Sequence, residues 1–197
     1  MARTRLKLSG IASVEEARLA VAAGADLIGL EAGADSGLAP DTAVATIALS
    51  LPPGVGAVIL SRAMTAGAIA QQVDAAAAGA VQLLRPLDAS EYPGLQRIIR
   101  GRKIIQCLPP GIDAAQALLH AGLADALELA AADGVVAREL AVPVFLAGFD
   151  EPAALSEAIR GFRPFGVGLA LPRLPDGTAN EAALMALVAA IRAADAA

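Results

Sequence analysis

The feature that most constrains this chain is an alternation. Short apolar runs suited to strands are followed, again and again, by longer Ala/Leu-rich amphipathic runs suited to helices. The apolar runs fall near residues 5–9, 26–31, 55–60, 79–84, 103–108, 124–130, 142–147 and 166–171. Strand-helix alternation of this kind calls for βαβ units and a parallel sheet. Eight strands, each with room for a helix behind it, point to closure into a single (β/α)8 TIM barrel spanning 1–197 as one α/β domain. A chain of 197 residues lies just under the usual lower limit of about 200 for that fold, so the connections must be short.

Local signals agree with the count. Ser13 stands three residues before Glu16, the spacing of a capping box at the start of the first helix. Pro152 suits the first turn of the seventh helix, and Asn180 suits the cap of the last. Between strands six and seven only Gly134 to Ala141 is left for a helix, so a single turn is expected there. Ala23-Gly24-Ala25-Asp26, Ala78-Gly79-Ala80-Val81 and Ala121-Gly122-Leu123-Ala124 repeat one theme. Each reads as a helix end, a glycine stop and a strand start.

Hydrophobic residues make up 56 % of the chain, with a mean hydropathy of +0.61. Its longest uncharged stretch, Thr42 to Ser61, approaches the length of a membrane span. Pro52, Pro53 and Gly54 break it, and it reads as two buried elements joined by a turn. A parallel sheet covered on both faces accounts for the Ala, Leu and Val excess. The net charge of −5, without a Lys/Arg cluster, argues against nucleic-acid partners. No leader-like apolar segment follows Met1-Ala2-Arg3-Thr4-Arg5. The single cysteine, Cys107, excludes an internal disulfide, and no metal-ligand spacing is present. A cytoplasmic protein without metal or cofactor, a monomer or homodimer, is expected.

Four stretches carry a resemblance. Lys7-Leu8-Ser9-Gly10-Ile11-Ala12 is similar to the Lys-Ile-Cys-Gly-Ile-Thr opening of the phosphoribosylanthranilate isomerases. Gly24-Ala25-Asp26-Leu27-Ile28-Gly29 resembles their Gly-Ala-Asp-x-x-Gly. Ala80-Val81-Gln82-Leu83, with Ser90-Glu91-Tyr92 after it, resembles their Ala-Val-Gln-Leu-His-Gly stretch. Leu146-Ala147-Gly148, Pro152, Ala158-Ile159-Arg160 and Pro164-Phe165-Gly166-Val167 follow their last two βα units. The order covers nearly the whole chain. The resemblance implies a site at the C-terminal ends of the strands. There the family opens a phosphoribosylamine ring in an Amadori rearrangement, using a cysteine base after strand one and an aspartic acid after strand six. It holds the substrate phosphate on Gly-rich turns after strands seven and eight.

Several of those positions differ in this chain. Ser9 stands at the cysteine, and a hydroxyl takes a carbon-bound proton near neutral pH only with a base beside it. The sole histidine, His120, lies near a helix end and reads as a surface or packing residue. Ala130 stands at the aspartic acid, with Glu128 two residues earlier on the same strand face. Glu128 has two readings, an ion pair with Lys7 or a proton-transfer role; a Schiff base on Lys7 is opposed by that carboxylate. The turn after strand seven is Gly148-Phe149-Asp150-Glu151, where Phe149 is expected to block an anion and the acids to repel it. After strand eight comes Ala170-Leu171-Pro172, and the loop after strand six is mostly deleted. The family's arginine after strand two has no counterpart in Asp35-Ser36-Gly37-Leu38. Arg173 reads as a phosphate contact or an exposed loop cation, and Arg85 as a new anion contact or a loop charge. Gln106 is expected to face the interior, which turns Cys107 toward the helices as a small apolar filler.

Lys7, Ser9, Glu31, Gln82, Gln106 and Glu128 are thus placed in or near the upper barrel. Such polar groups need partners, either as a network kept for packing or as a pocket for a small polar ligand. The catalytic candidates are Ser9, Glu128 and Lys7; the ligand-binding candidates are Glu31, Gln82, Arg85, Gln106 and Arg173. Three functions compete. The first is a diverged barrel that has lost the parent isomerisation and binds another small molecule. The second is a working phosphoribosylanthranilate isomerase with displaced catalytic groups. The third is a noncatalytic interaction protein, expected if Phe149 and its neighbours close the mouth.

Overall fold

A computed structural model describes residues 3–31 and 41–197. Its strands are β1 (Arg5–Ser9), β2 (Leu27–Glu31), β3 (Gly56–Ser61), β4 (Ala80–Leu83), β5 (Lys103–Cys107), β6 (Ala126–Ala130), β7 (Val144–Ala147) and β8 (Gly166–Ala170). All eight are parallel, and β8 pairs with β1 to close the barrel. The helices behind them are α1 (Val14–Ala23), α2 (Asp41–Leu49), α3 (Ala66–Ala75), α4 (Tyr92–Ile98), α5 (Ala114–Ala121), α6 (Gly134–Ala137), α7 (Pro152–Phe162) and α8 (Glu181–Asp195). The sixth is the expected single turn, entered through a 3-10 turn at Ala131–Asp133. The expected turn between α2 and β3 separates the two halves of the uncharged stretch, and among the described residues no helix is long and apolar enough to cross a membrane. The Asp35-Ser36-Gly37-Leu38 stretch lies outside the described residues.

The caps form as their residue types dictate. The Ser13 hydroxyl accepts from Glu16 N–H at 3.1 Å, and the Glu16 carboxylate reaches back to Ala12 N–H at 2.7 Å, one residue before the usual capping-box donor. Gly24 ends α1 with φ 95°, a left-handed conformation that costs a glycine nothing. Pro152 opens α7, and Asn180 accepts from Ala183 N–H at 3.1 Å to open α8.

Apolar residues fall into two clusters because each strand is buried on both faces. The larger lies between sheet and helices and includes Leu6, Leu8, Ile104, Leu127, Leu129, Leu146 and Leu169. The smaller fills the barrel: Val58, Leu60, Ala80, Ile105, Ala126 and Phe145. Those memberships fix the parity of every strand. Residues two positions from a member of the inner cluster face inward, toward the mouth where β-strands deliver their C-terminal ends.

Candidate functional site

Leu6 and Leu8 face the helices, so Lys7 and Ser9 between and after them face the interior. By the same rule Glu128 points inward between Leu127 and Leu129, and Gln82 points inward two residues above Ala80. The structure brings three of these together. Lys7 Nζ donates to Gln82 Oε1. Gln82 Nε2 donates to Glu128 Oε1 at 2.5 Å. Glu128 Oε2 lies 2.5 Å from Lys7 Nζ, closing a triangle that ties β1, β4 and β6 across the barrel. The side chain of Lys7 is 2 % exposed and that of Glu128 10 %. Charge, counter-charge and amide thus meet the demand that buried ions be paired.

Two details give this triangle a working face. Glu128 Oε2 has the 2.5 Å ion pair with Lys7 Nζ as its sole polar contact among the described residues. Gly168 of β8 makes the room: a Cβ there would stand 2.5 Å from Glu128 Oε2 and 3.3 Å from Lys7 Cε. Above the triangle opens a cavity of about 690 Å³, within the range of small-molecule sites. Lys7, Ser9, Gln82 and Glu128 form its floor, and the ends of β7 and β8 with the first turns of α7 and α8 form one wall. The mouth is therefore open. Phe149 lines it but is 8 % exposed and belongs to the outer core, so it does not close the mouth, the condition set for the noncatalytic interaction reading.

Ser9 lines the cavity beside Gly29, where a Cβ would stand 2.4 Å from the Ser9 hydroxyl oxygen. No described residue hydrogen-bonds to that hydroxyl, so it has no base to activate it. Glu31 stands at the rim, paired with Arg62 at 2.9 Å. Arg85 is exposed after β4 and makes no ion pair among the described residues. Arg173 lines the cavity but is engaged: its two terminal nitrogens donate to both Glu16 carboxylate oxygens and to the carbonyls of Gly10 and Gly177. It clamps the β1–α1 loop to the β8–α8 loop, and its pKa is raised by the Glu16 hydrogen bonds. His120 is half-buried on α5, its pKa lowered by burial. Asp133, after Ala130, accepts from Gly111 N–H at 3.1 and 3.2 Å instead of facing the cavity.

One placement reverses the sequence reading. Gln106 points outward: it is fully buried, accepts from the Tyr92 hydroxyl of α4, and donates to the carbonyls of Leu83 and Cys107. Cys107 therefore shares the inner face with Ile105, beside its register partner Glu128. Burial, and then the Glu128 charge, push its thiol up to about 11, against a smaller opposing pull from Lys7. Sequence reasoning missed this placement because Ile104 and Ile105 are both apolar and leave the parity of β5 undetermined.

No protein-family model matches the chain. Individual relatives do. It is 30 % identical over 194 residues to the N-(5'-phosphoribosyl)anthranilate isomerase of Methanoregula boonei, covering 97 % of this chain and 98 % of that one. It is 31 % identical over 187 residues to the enzyme of the same name from Methanocella arvoryzae, covering 83 % and 86 %. Among solved structures, phosphoribosyl anthranilate isomerase from Thermus thermophilus superposes with a TM-score of 0.78 at 25 % identity, covering 96 % of this chain and 99 % of that one. The enzyme from Pyrococcus furiosus superposes with a TM-score of 0.82 at 20 % identity, covering 97 % and 100 %. On full-length identity and on fold together, the chain belongs to the phosphoribosylanthranilate isomerase family.

Proposed function

We propose that the chain is an isomerase of the phosphoribosylanthranilate type in which proton transfer has moved from the strand ends to the Lys7–Glu128 pair on the cavity floor. The observation that carries this reading is the pair itself: an ammonium and a carboxylate in contact beneath an open cavity, with Lys7 the sole polar partner of Glu128 Oε2 among the described residues. An Amadori rearrangement needs one acid and one base. Lys7 Nζ gives a proton to the ring oxygen of an N-linked aldose as the C1–O bond breaks, leaving an iminium at C1. Glu128 Oε2 takes the proton from C2, and the C–H electron pair forms the C1–C2 double bond and neutralises the nitrogen. The enol then becomes the ketone, C1 gaining a proton as the 2-hydroxyl loses one. Return of the C2 proton from Glu128 to Lys7 across their 2.5 Å contact restores the pair. Gln82 holds both partners in place. The setting is that of a cytoplasmic enzyme of tryptophan biosynthesis, a monomer or homodimer with no cofactor.

The test is rearrangement of glycosylamines formed in solution from anthranilate with ribose 5-phosphate or with an unphosphorylated pentose. Turnover is expected to fall by about 10²–10⁴-fold in Glu128→Gln and to survive in Ser9→Ala. Turnover of neither compound, or turnover indifferent to Glu128→Gln, defeats the reading. A second reading, a barrel that binds a small polar molecule without isomerising it, draws on Ser9 and Ala130 at the family's catalytic positions. It is the result expected if ligands bind and none is turned over.

A further inference from the structure

Residues 171–180 carry the chain from β8 to α8. Their start extends the barrel ladder, with Leu171 N–H donating to the Ser9 carbonyl at 2.8 Å. Their turn is closed from within. Asp176 accepts from the Thr178 amide and hydroxyl at 2.9 and 2.6 Å, Leu174 N–H donates to the Thr178 carbonyl at 2.9 Å, and Asn180 N–H donates to the Pro172 carbonyl at 2.7 Å. None of these bonds ties the outer part, 173–178, to the rest of the barrel, and every residue in it is exposed. Among the described residues, the hydrogen bonds that do so run through one guanidinium. Arg173 Nη1 donates to Glu16 Oε1 at 2.8 Å and to the Gly177 carbonyl at 2.7 Å. Its Nη2 donates to the Gly10 carbonyl at 2.6 Å and to Glu16 Oε2 at 3.1 Å. A planar fork that meets a carboxylate on both oxygens is a directional, charge-assisted contact. Gly10 follows β1, Glu16 stands in the first turn of α1, and Gly177 lies in the turn of the segment itself. Three parts of the rim thus converge on a side chain that also lines the cavity, beside Leu171, Pro172 and Ser9.

We infer that the Arg173–Glu16 pair is the latch of the cavity mouth, holding residues 173–178 against the β1–α1 turn and setting how long a ligand stays. The inference deepens the isomerase reading and rests on it for the choice of ligand. Arg173 stands on the cavity wall with its terminal N–H groups spent on the protein, so its part there is to hold that wall. Glu16 acts through Arg173 and is a positioning residue. Its carboxylate is steadied from a second side by Ala12 N–H at 2.7 Å. The side chains of Arg173 and Glu16 are 29 % and 17 % exposed, so water reaches the pair. A segment with no buried side chain, held at one partly solvated contact, opens locally at low cost. Opening of this kind gates entry and release without disturbing the charged floor.

The probe is the unreactive secondary amine made by reducing the glycosylamine of anthranilate with ribose 5-phosphate. Its aryl fluorescence is read against a chain without tryptophan. Stopped flow gives its release from the native chain and from Glu16→Gln, Arg173→Met and Arg173→Lys, and mass spectrometry follows amide exchange of 173–178 without ligand. Glu16→Gln and Arg173→Met are expected to release the probe about tenfold faster, with association changed by less than about threefold. Both are expected to exchange the amides of 173–178 faster while β1 and β8 stay protected. Arg173→Lys is expected to fall between, since an ammonium still meets Glu16 but lacks the fork. In turnover, KM is expected to rise by more than kcat falls. Release unchanged in both Glu16→Gln and Arg173→Met overturns the inference. So does faster release without faster exchange of the segment, Arg173→Lys no better than Arg173→Met, or failure of the native chain to bind the probe at millimolar concentration. If Glu16→Gln unsettles α1 by loosening its cap, Arg173→Met decides, since it leaves the cap in place. The two readings fail separately. Release that depends on the latch, without rearrangement of the parent glycosylamine, leaves the latch and removes the isomerase. Rearrangement with release indifferent to the latch does the reverse.

Discussion

Replacing Glu128 by Gln keeps the shape of the side chain and removes its charge. The consequence follows from where Lys7 is left. At 2.5 Å and an effective dielectric of about 20, the pair attracts by about 6–7 kcal/mol. Desolvation of two ions costs several kcal/mol each, so the intact pair contributes little net stability. Breaking it is different: Lys7, with a side chain 2 % exposed, becomes a buried charge with neutral amide groups around it, among them its acceptor Gln82 Oε1, and no counter-charge. The expected loss is about 3–5 kcal/mol, or about 6–20 °C in Tm for a chain of this size. Lys7→Met should lose a similar amount. The double variant Lys7→Met/Glu128→Met, apolar and close in volume, should return to within about 1 kcal/mol of the native chain or exceed it. Urea denaturation at neutral pH followed by circular dichroism gives all four corners of the cycle. A Glu128→Gln variant that loses less than about 1 kcal/mol, the value of a solvated surface pair, refutes the picture of a buried charge cluster. The double variant also separates roles: a well-folded barrel with no turnover assigns the pair to chemistry, since its contribution to the fold has been replaced.

Two further outcomes follow from the titrating groups nearby. Cys107, with its thiol pushed up to about 11 by burial and by Glu128, should react with iodoacetamide at pH 8 about a hundredfold more slowly than a free thiol. Glu128→Gln removes one cause and leaves the opposing charge of Lys7, so alkylation should accelerate; an unchanged rate places Cys107 away from the pair. Tyr92, the single tyrosine in a chain without tryptophan, is held by burial at about 12, so phenolate absorbance should appear only near that pH. Because the folded pKa lies above the unfolded value, the associated stability is complete below about pH 10 and lost as pH rises toward 12. Tyr92→Phe should abolish that alkaline loss and cost about 1–2 kcal/mol at neutral pH, since Gln106 Oε1 loses its donor. A phenolate signal near pH 10 in the folded protein contradicts the burial.

The strands and caps were legible because local chemistry decides them. Ser13, Gly24, Pro152 and Asn180 each act within four residues of themselves, and the shortness of α6 follows from the few residues left for it. The Lys7–Glu128 pair was legible for a related reason. Leu6 and Leu8 flank one charge and Leu127 and Leu129 flank the other, so alternation aims both inward. What connects them across the barrel, the amide of Gln82, needed only the parity of β4.

Where a strand is buried on both faces, hydrophobicity stops distinguishing inside from outside, and β5 is the case in point. Ile104 and Ile105 are equally apolar yet belong to different clusters, so Lys-Ile-Ile-Gln-Cys reads equally well in either parity. The decision is made by a partner outside the strand: the Tyr92 hydroxyl of α4 takes Gln106 outward, and Cys107 is carried inward as a consequence. The same logic governs space. A carboxylate aimed into the barrel has room because β8 carries Gly168 where a Cβ would meet Glu128 Oε2 at 2.5 Å. Neither residue announces the other in sequence, since they lie on strands separated by β7. A charged floor in this barrel is therefore a property of several strands together, and its chemistry depends on the glycine as much as on the acid.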